Sequence, residues 1–271
     1  AVIEASDAKS IYAVPNGFGD EGILNPIAKH FELKKFNPNM KKWNGLVNNI
    51  ISPENEMSVA FVGKYLELKE AYKSLIEALV HSGAHLNTKV NINWCDSEEI
   101  ESKGAKDIIQ NSDCVLVAGG FGHRGINGKI EAIRYARENN IPYLGICLGM
   151  QLSIIEYLRN VVGIKDATSV EFIEDAKEPA IYLIEQFLDT SGVSQVRTTK
   201  SAMGGTMRLG SYPFKTKKGS NLEAAYGETG IERHRHRYEA NPLYKEKLED
   251  AGMIITGESN GLIEVVEIPE H

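Results

Sequence analysis

From Met57 to Gly63 the chain reads MSVAFVG, a short apolar run that ends in glycine, and apolar residues then recur at Leu75, Ile76, Leu79 and Val80. A continuous run of strand length followed by apolar positions three and four apart predicts a buried strand and then an amphipathic helix. The pattern returns with VNINW before an amphipathic stretch around Ile100 to Ile109, and with CVLVAGG before a helix through Ile130, Ile133, Tyr135 and Ala136. It returns once more with IPYLGIC followed by LGMQLSIIEYLRNV. Strands alternating with helices predict an α/β fold, an open and mostly parallel sheet with helices on both faces. Ligands in such sheets sit at the carboxyl ends of the strands, where Gly119 and Cys147 fall.

The flanks read differently. In residues 1 to 55, Pro15, Gly17, Gly19, Pro26, Pro38 and the segment KKFNPNMKKW interrupt the apolar positions, which predicts a linker or the tail of another domain. The main domain is therefore expected to span 56 to 271. Beyond Gly163, AIYLIEQF, SQVRTT and GLIEVVEI are candidate strands, an additional β-rich segment after the cysteine-bearing helix.

Composition narrows the partners. With 271 residues, 42% hydrophobic and 25% charged, the chain can bury a full core. A net charge of −7 argues against non-specific nucleic-acid binding. Neither a signal-peptide pattern nor an apolar run of membrane-spanning length is visible, so a cytoplasmic protein without a membrane partner is expected. Cys95, Cys114 and Cys147 lack metal-ligand spacing, so no metal site is expected, and their odd number fits a reducing compartment.

One cysteine stands apart. In Gly145-Ile146-Cys147-Leu148-Gly149 it lies between glycines where a strand gives way to a helix, the pattern of a nucleophile elbow with cysteine in the serine position. Such a turn forces the nucleophile into strained dihedrals and leaves no room for side chains at the flanking positions. The helix N-terminus favours the thiolate, and the N–H of Leu148 can face a bound carbonyl oxygen. Cys95 and Cys114 read as ordinary buried residues.

Gly120, Gly122 and Gly125 satisfy a dinucleotide-binding spacing. That fingerprint also needs an acidic residue at the end of the next strand, where Gly145-Ile146-Cys147 stands instead. Gly119 and Gly120 then serve better as an unobstructed backbone donor beside the elbow, the second half of an oxyanion hole.

The GGFG loop, the GICLGMQ elbow and their spacing resemble the class I (triad) glutamine amidotransferases. With VGKYLELKEAYKS, GGFGHRG, NNIPYLGICLGMQ, GGTMRLG and ERHRHRYE in order, residues 57 to 271 are similar to the glutaminase half of the CTP synthase family. Residues 1 to 55, including DAKSIYAVP, resemble more loosely the end of that family's synthetase domain and its linker.

The resemblance implies a flavodoxin-like domain that hydrolyses L-glutamine through a cysteine thioester. Ammonia would pass to an N-terminal synthetase domain, which uses ATP and Mg2+ to convert UTP to CTP within a homo-oligomer, a tetramer at full length. No cofactor is implied for the glutaminase domain itself. Cys147 would be the nucleophile, with oxyanion donors at Gly120 and Leu148. Gly119, Phe121, Gln151, Glu171 and Arg237 would bind glutamine.

Physical chemistry agrees in part. A zwitterionic amino acid needs an acid for its ammonium and a cation for its carboxylate, roles open to Glu171 and Arg237. Equally, Glu171 could be a surface carboxylate and ERHRHRYE a solvated basic run. GTP activation is also implied, with Arg124, Arg197 and Arg208 as candidates. Asn127 stands where the family usually has an acidic residue.

The family's general base and its orienting partner are the His and Glu of an HPE motif, which does not occur in these residues. EVVEIPEH corresponds to the strand and turn before it, so the sequence is expected to stop short of that pair. His123, His234 and His236 lie in motifs with other family roles and are not expected to replace it. The rival reading is a catalytically inactive amidotransferase-like domain that binds glutamine or GTP. The intact elbow speaks against it.

Overall fold

The computed structural model describes residues 2–34, 37–64, 66–188, 193–196 and 207–271. Its contacts group into two compact units, residues 1–59 with 67–92, and residues 60–66 with 93–271.

The first unit is largely helical: α1 (Val14–Asp20), α2 (Leu24–His30), α3 (Lys41–Ile51) and α4 (Lys73–His85). The segment expected as a linker or the tail of another domain thus holds three α-helices. Pro15 sits at the start of α1, where a missing N–H costs nothing, so it begins a helix rather than breaking one. In α3, Trp43, Leu46, Val47 and Ile50 recur at helical spacing, and Val47 is buried. The Trp43 indole donates to the Tyr12 carbonyl at 2.9 Å, and the Asn49 amide to the Ala84 carbonyl at 2.8 Å.

Strands β1 (Asn55–Gly63) and β2 (Thr88–Asp96) begin in this unit and end in the second. The second unit adds α5 (Ser97–Lys103), α6 (Ala105–Ile109), β3 (Cys114–Val117), α7 (Ile126–Glu138), β4 (Tyr143–Gly145) and α8 (Leu148–Tyr157). The strand order is β2-β1-β3-β4, and β3 and β4 run parallel with Val117 opposite Gly145. The amphipathic stretch expected from Ile100 to Ile109 is two helices, divided at Gly104 with φ +89°. Helix α7 rests directly on α5: a Cβ on Gly128 would lie 1.7 Å from the Ser97 carbonyl oxygen.

The β-rich segment follows α8, with β5 (Ala167–Ser169), β6 (Glu178–Leu183), β7 (Gln186–Leu188), β8 (Ser194–Val196), β9 (Arg208–Thr216), α9 (Asn221–Tyr226), β10 (Thr229–His236), β11 (Tyr238–Ala240), α10 (Lys245–Asp250), β12 (Ile254–Ser259) and β13 (Leu262–Glu267). Seven strands form one sheet in the order β10-β9-β12-β13-β11-β6-β5, and β7 pairs with β8. Helix α8 packs against both sheets. It is therefore apolar nearly all round, with every residue but Met150 buried.

Candidate active site

Strands β3 and β4 end side by side, so the loops that follow them open at the same edge of the sheet. After β4 the chain turns through Ile146, whose N–H donates to the Val117 carbonyl at 3.1 Å, and enters α8 with Cys147 as its N-cap. Cys147 has φ 55° and ψ −109°, a conformation that costs an L-residue about 1–3 kcal/mol and persists only where the surroundings enforce it.

Those surroundings are glycine contacts. A Cβ on Gly145 would meet the Tyr143 hydroxyl at 2.4 Å, and one on Gly149 would meet the Val117 carbonyl oxygen at 2.2 Å. No side chain fits at either place. The Tyr143 hydroxyl closes the turn by donating to the Gly149 carbonyl at 2.8 Å.

The glycine loop after β3 reaches the same point. A Cβ on Gly119 would stand 3.3 Å from the Cys147 Cβ and 3.9 Å from its Sγ, and one on Gly120 would lie 3.7 Å from a methyl of Leu148. Burial pushes the thiol pKa up, and the Glu171 and Glu239 carboxylates push the same way, while the Leu148 N–H and the Lys129 ammonium oppose them.

The other residues expected at this site divide into three groups. Glu171, half-buried after β5, accepts from the Gly122 N–H at 3.0 Å and so lies against the glycine loop. The Phe121 ring is half exposed on that loop. Gln151, one turn along α8, donates from Nε2 to the Tyr238 carbonyl at 2.9 Å, which ties the helix to the residue after Arg237. Arg237 is buried, and its Nε and Nη1 have no hydrogen-bond partner among the described residues, an expensive state for a guanidinium unless an anion completes it. A cavity of about 780 Å³ is lined by Cys147, Gln151, His234, His236, Glu239 and Glu264, among others.

The candidates for a nucleotide effector lie elsewhere or are already engaged. Arg124 pairs with Glu98 at 2.5 Å, and Asn127 donates to Glu101 at 2.9 Å. Arg208 is 1% exposed; it bonds Glu264 at 2.5 Å, faces Glu239 at 3.6 Å and stacks 4.3 Å above the Tyr212 ring. Arg197 lies outside the described residues. Among the histidines, the His123 ring packs on Phe172, and His234 Nδ1 is 2.7 Å from His236 Nε2. Burial, with nearby Arg208, pulls both pKa values down to about 4, so the pair is neutral at pH 7.

Sequence reasoning passed over Lys64 and Lys129. Lys129 is fully buried on α7, and its Nζ donates to the Ala118 carbonyl at 3.1 Å. Lys64 is also buried and donates to the Phe121 carbonyl. The available signal was helical phase: Lys129 occupies the third position after Ile126 on the face that carries Ile130 and Ile133.

A strained cysteine at a strand-to-helix turn, with a glycine loop touching it, defines a thiol amidohydrolase site on a flavodoxin-like sheet. The model of the glutamine amidotransferase class-I family matches residues 67–271. The chain belongs to that family.

Within it, the chain is similar to CTP synthases. Those of Sulfurimonas denitrificans and Wolinella succinogenes are 62% and 60% identical over the whole of this chain, and it covers 50% and 49% of their lengths. The chain thus spans about half the length of these curated relatives. The glutaminase domain of Trypanosoma brucei CTPS, solved with bound acivicin, is 36% identical with a TM-score of 0.68, over 79% of this chain and 81% of that one.

Proposed function

We propose that this chain is the glutamine-hydrolysing half of a cytoplasmic CTP synthase. Its substrate is L-glutamine and its product ammonia, which a synthetase half uses, with ATP and Mg2+, to aminate UTP. The observation that carries this reading is Cys147 held at φ 55° at the start of α8 with the Gly119–Gly120 loop against it.

The Cys147 thiolate attacks the side-chain carboxamide carbon. The carbonyl electron pair moves onto oxygen, where the N–H groups of Leu148 and Gly120 stabilise it. As the carbonyl re-forms, the C–N bond breaks and the nitrogen leaves as ammonia after taking a proton. Water then cleaves the thioester to glutamate and the free thiol. Glu171 serves the substrate ammonium and Arg237 its carboxylate, the latter supported by a buried guanidinium with two unfilled donors. The family assigns the proton transfers to its HPE pair.

GTP activation through Arg124, Arg197 and Arg208, and assembly into tetramers, belong to the same reading. Since Arg208 is sealed in an ion pair with Glu264, its part would be to tie β9 to β13 rather than to grip a phosphate.

The test is Cys147→Ala in the full-length enzyme. Glutamine-dependent CTP formation should vanish while formation from added ammonia persists. Loss of both activities would contradict the division of labour.

A further inference from the structure

The peptide joining Phe121 to Gly122 lies between opposite charges. Its carbonyl accepts from Lys64 Nζ, and its N–H donates to Glu171 Oε1 at 3.0 Å. A peptide dipole is negative at oxygen and positive at hydrogen, so each charge meets the end that it attracts. Turning this peptide over would bring the N–H against an ammonium and the carbonyl against a carboxylate. Both bonds would become repulsions, so the two side chains permit one orientation and oppose the other.

Packing alone does not set this turn. Gly122 has φ +77°, a Cβ there would meet nothing within 4 Å, and the Phe121 side chain beside it is half exposed. The two charges come from distant parts of the chain, Lys64 directly after β1 and Glu171 after β5. Lys64 is buried, a costly place for an ammonium unless its bond compensates. The loop held in this way is the one that meets the nucleophile. A Cβ on Gly119 would stand 3.3 Å from the Cys147 Cβ, and one on Gly120 would stand 3.5 Å from Lys64 Cε. Lys64 therefore engages the loop twice: its stem lies beside Gly120, and its Nζ holds the carbonyl of the next residue.

We propose that Lys64 is a positioning residue for the oxyanion donor: with Glu171 it locks the Phe121–Gly122 peptide, and so keeps the Gly120 N–H turned toward the substrate oxygen. This rests on Cys147 being the nucleophile and Gly120 a donor. Glu171 also has the substrate ammonium to serve, so a change there would mix two effects. Lys64 has no such second part in the reaction, and a change at Lys64 isolates the loop.

The test compares two uncharged variants, Lys64→Met and Lys64→Gln, with the parent in the full-length enzyme. Glutamine hydrolysis is measured beside alkylation by iodoacetamide, followed at Cys147 by mass spectrometry, and melting curves report folding. Hydrolysis puts negative charge on the carbonyl oxygen and needs the donor. Alkylation does not: the sulfur displaces iodide from a saturated carbon and becomes a thioether. In both variants kcat for hydrolysis should fall by about a hundredfold. KM and the rate of Cys147 alkylation should stay as in the parent.

An unchanged kcat in either folded variant overturns the proposal. So does a raised KM with kcat intact, which would make Lys64 a substrate contact. An equal loss of hydrolysis and alkylation would mean that the elbow itself has loosened, and also overturns it. Where one variant fails to fold, the other decides; if neither folds, Lys64 serves the fold alone and the proposal falls. Should Cys147→Ala still hydrolyse glutamine, the nucleophile assignment itself fails, a result distinct from these.

Discussion

At the ends of β3 and β4 the chain places its reactive atom with almost no side chain: Gly119, Gly145 and Gly149 let backbone meet backbone, and Cys147 is bent to φ 55° between them. Across the cavity, β9 to β11 do the reverse, filling the inner face of a sheet with Arg208, His234, His236 and Glu239, and meeting Glu264 from β13. The first region fixes one atom by excluding volume. The second fixes several charges by pairing them. Its tolerance to change should differ accordingly: volume errors break the elbow, and charge errors break the sheet.

The sharpest challenge is on the sheet side. Arg208→Met strands Glu264 in a site where its carboxylate is 5% exposed, and should cost about 3–5 kcal/mol by denaturant unfolding. Adding Glu264→Leu should recover most of that loss. If the double variant is no better than the single one, pairing is not what organises this face.

On the elbow side, Gly149→Ala drives a methyl into the Val117 carbonyl at 2.2 Å and should cost about 3 kcal/mol. A well-folded variant with normal Cys147 reactivity would show that the close approach is dispensable.

The two regions should also part company in acid. His234 and His236 titrate near pH 4 in the fold against about 6.5 when unfolded. A depressed folded value means that protons favour the unfolded chain, so stability present above pH 6.5 is lost as pH falls toward 4. The pair should account for on the order of 3 kcal/mol of acid sensitivity, read as the difference between parent and a His234→Gln, His236→Gln variant. Equal pH slopes in the two would refute this.

The smallest expected effect is Tyr143→Phe, which removes the hydroxyl bond to the Gly149 carbonyl and should cost about 1 kcal/mol, with a larger relative loss of Cys147 reactivity than of stability.

How much could be read in advance follows the same division. The elbow was legible because glycines flanking a cysteine at a strand-to-helix step have few other uses. The βα alternation was legible because buried parallel strands are plain apolar runs. Strand β10 was not. In Glu232-Arg233-His234-Arg235-His236, one polar type alternates with another, so the inward turn of the histidines leaves no hydrophobic period to detect. Lys129 escaped for the related reason that a lysine on a helix is presumed solvated unless its phase is checked against Ile126, Ile130 and Ile133. In residues 1 to 55, Pro15, which starts a helix, was read as a break.

The seat of Gly149 on Val117 carries a consequence for how this scaffold can diverge. Because helix and strand touch atom to atom there, α8 cannot slide or roll to suit a differently sized substrate. A new specificity would have to be written in the residues opposite, with the thiol as a fixed origin of coordinates.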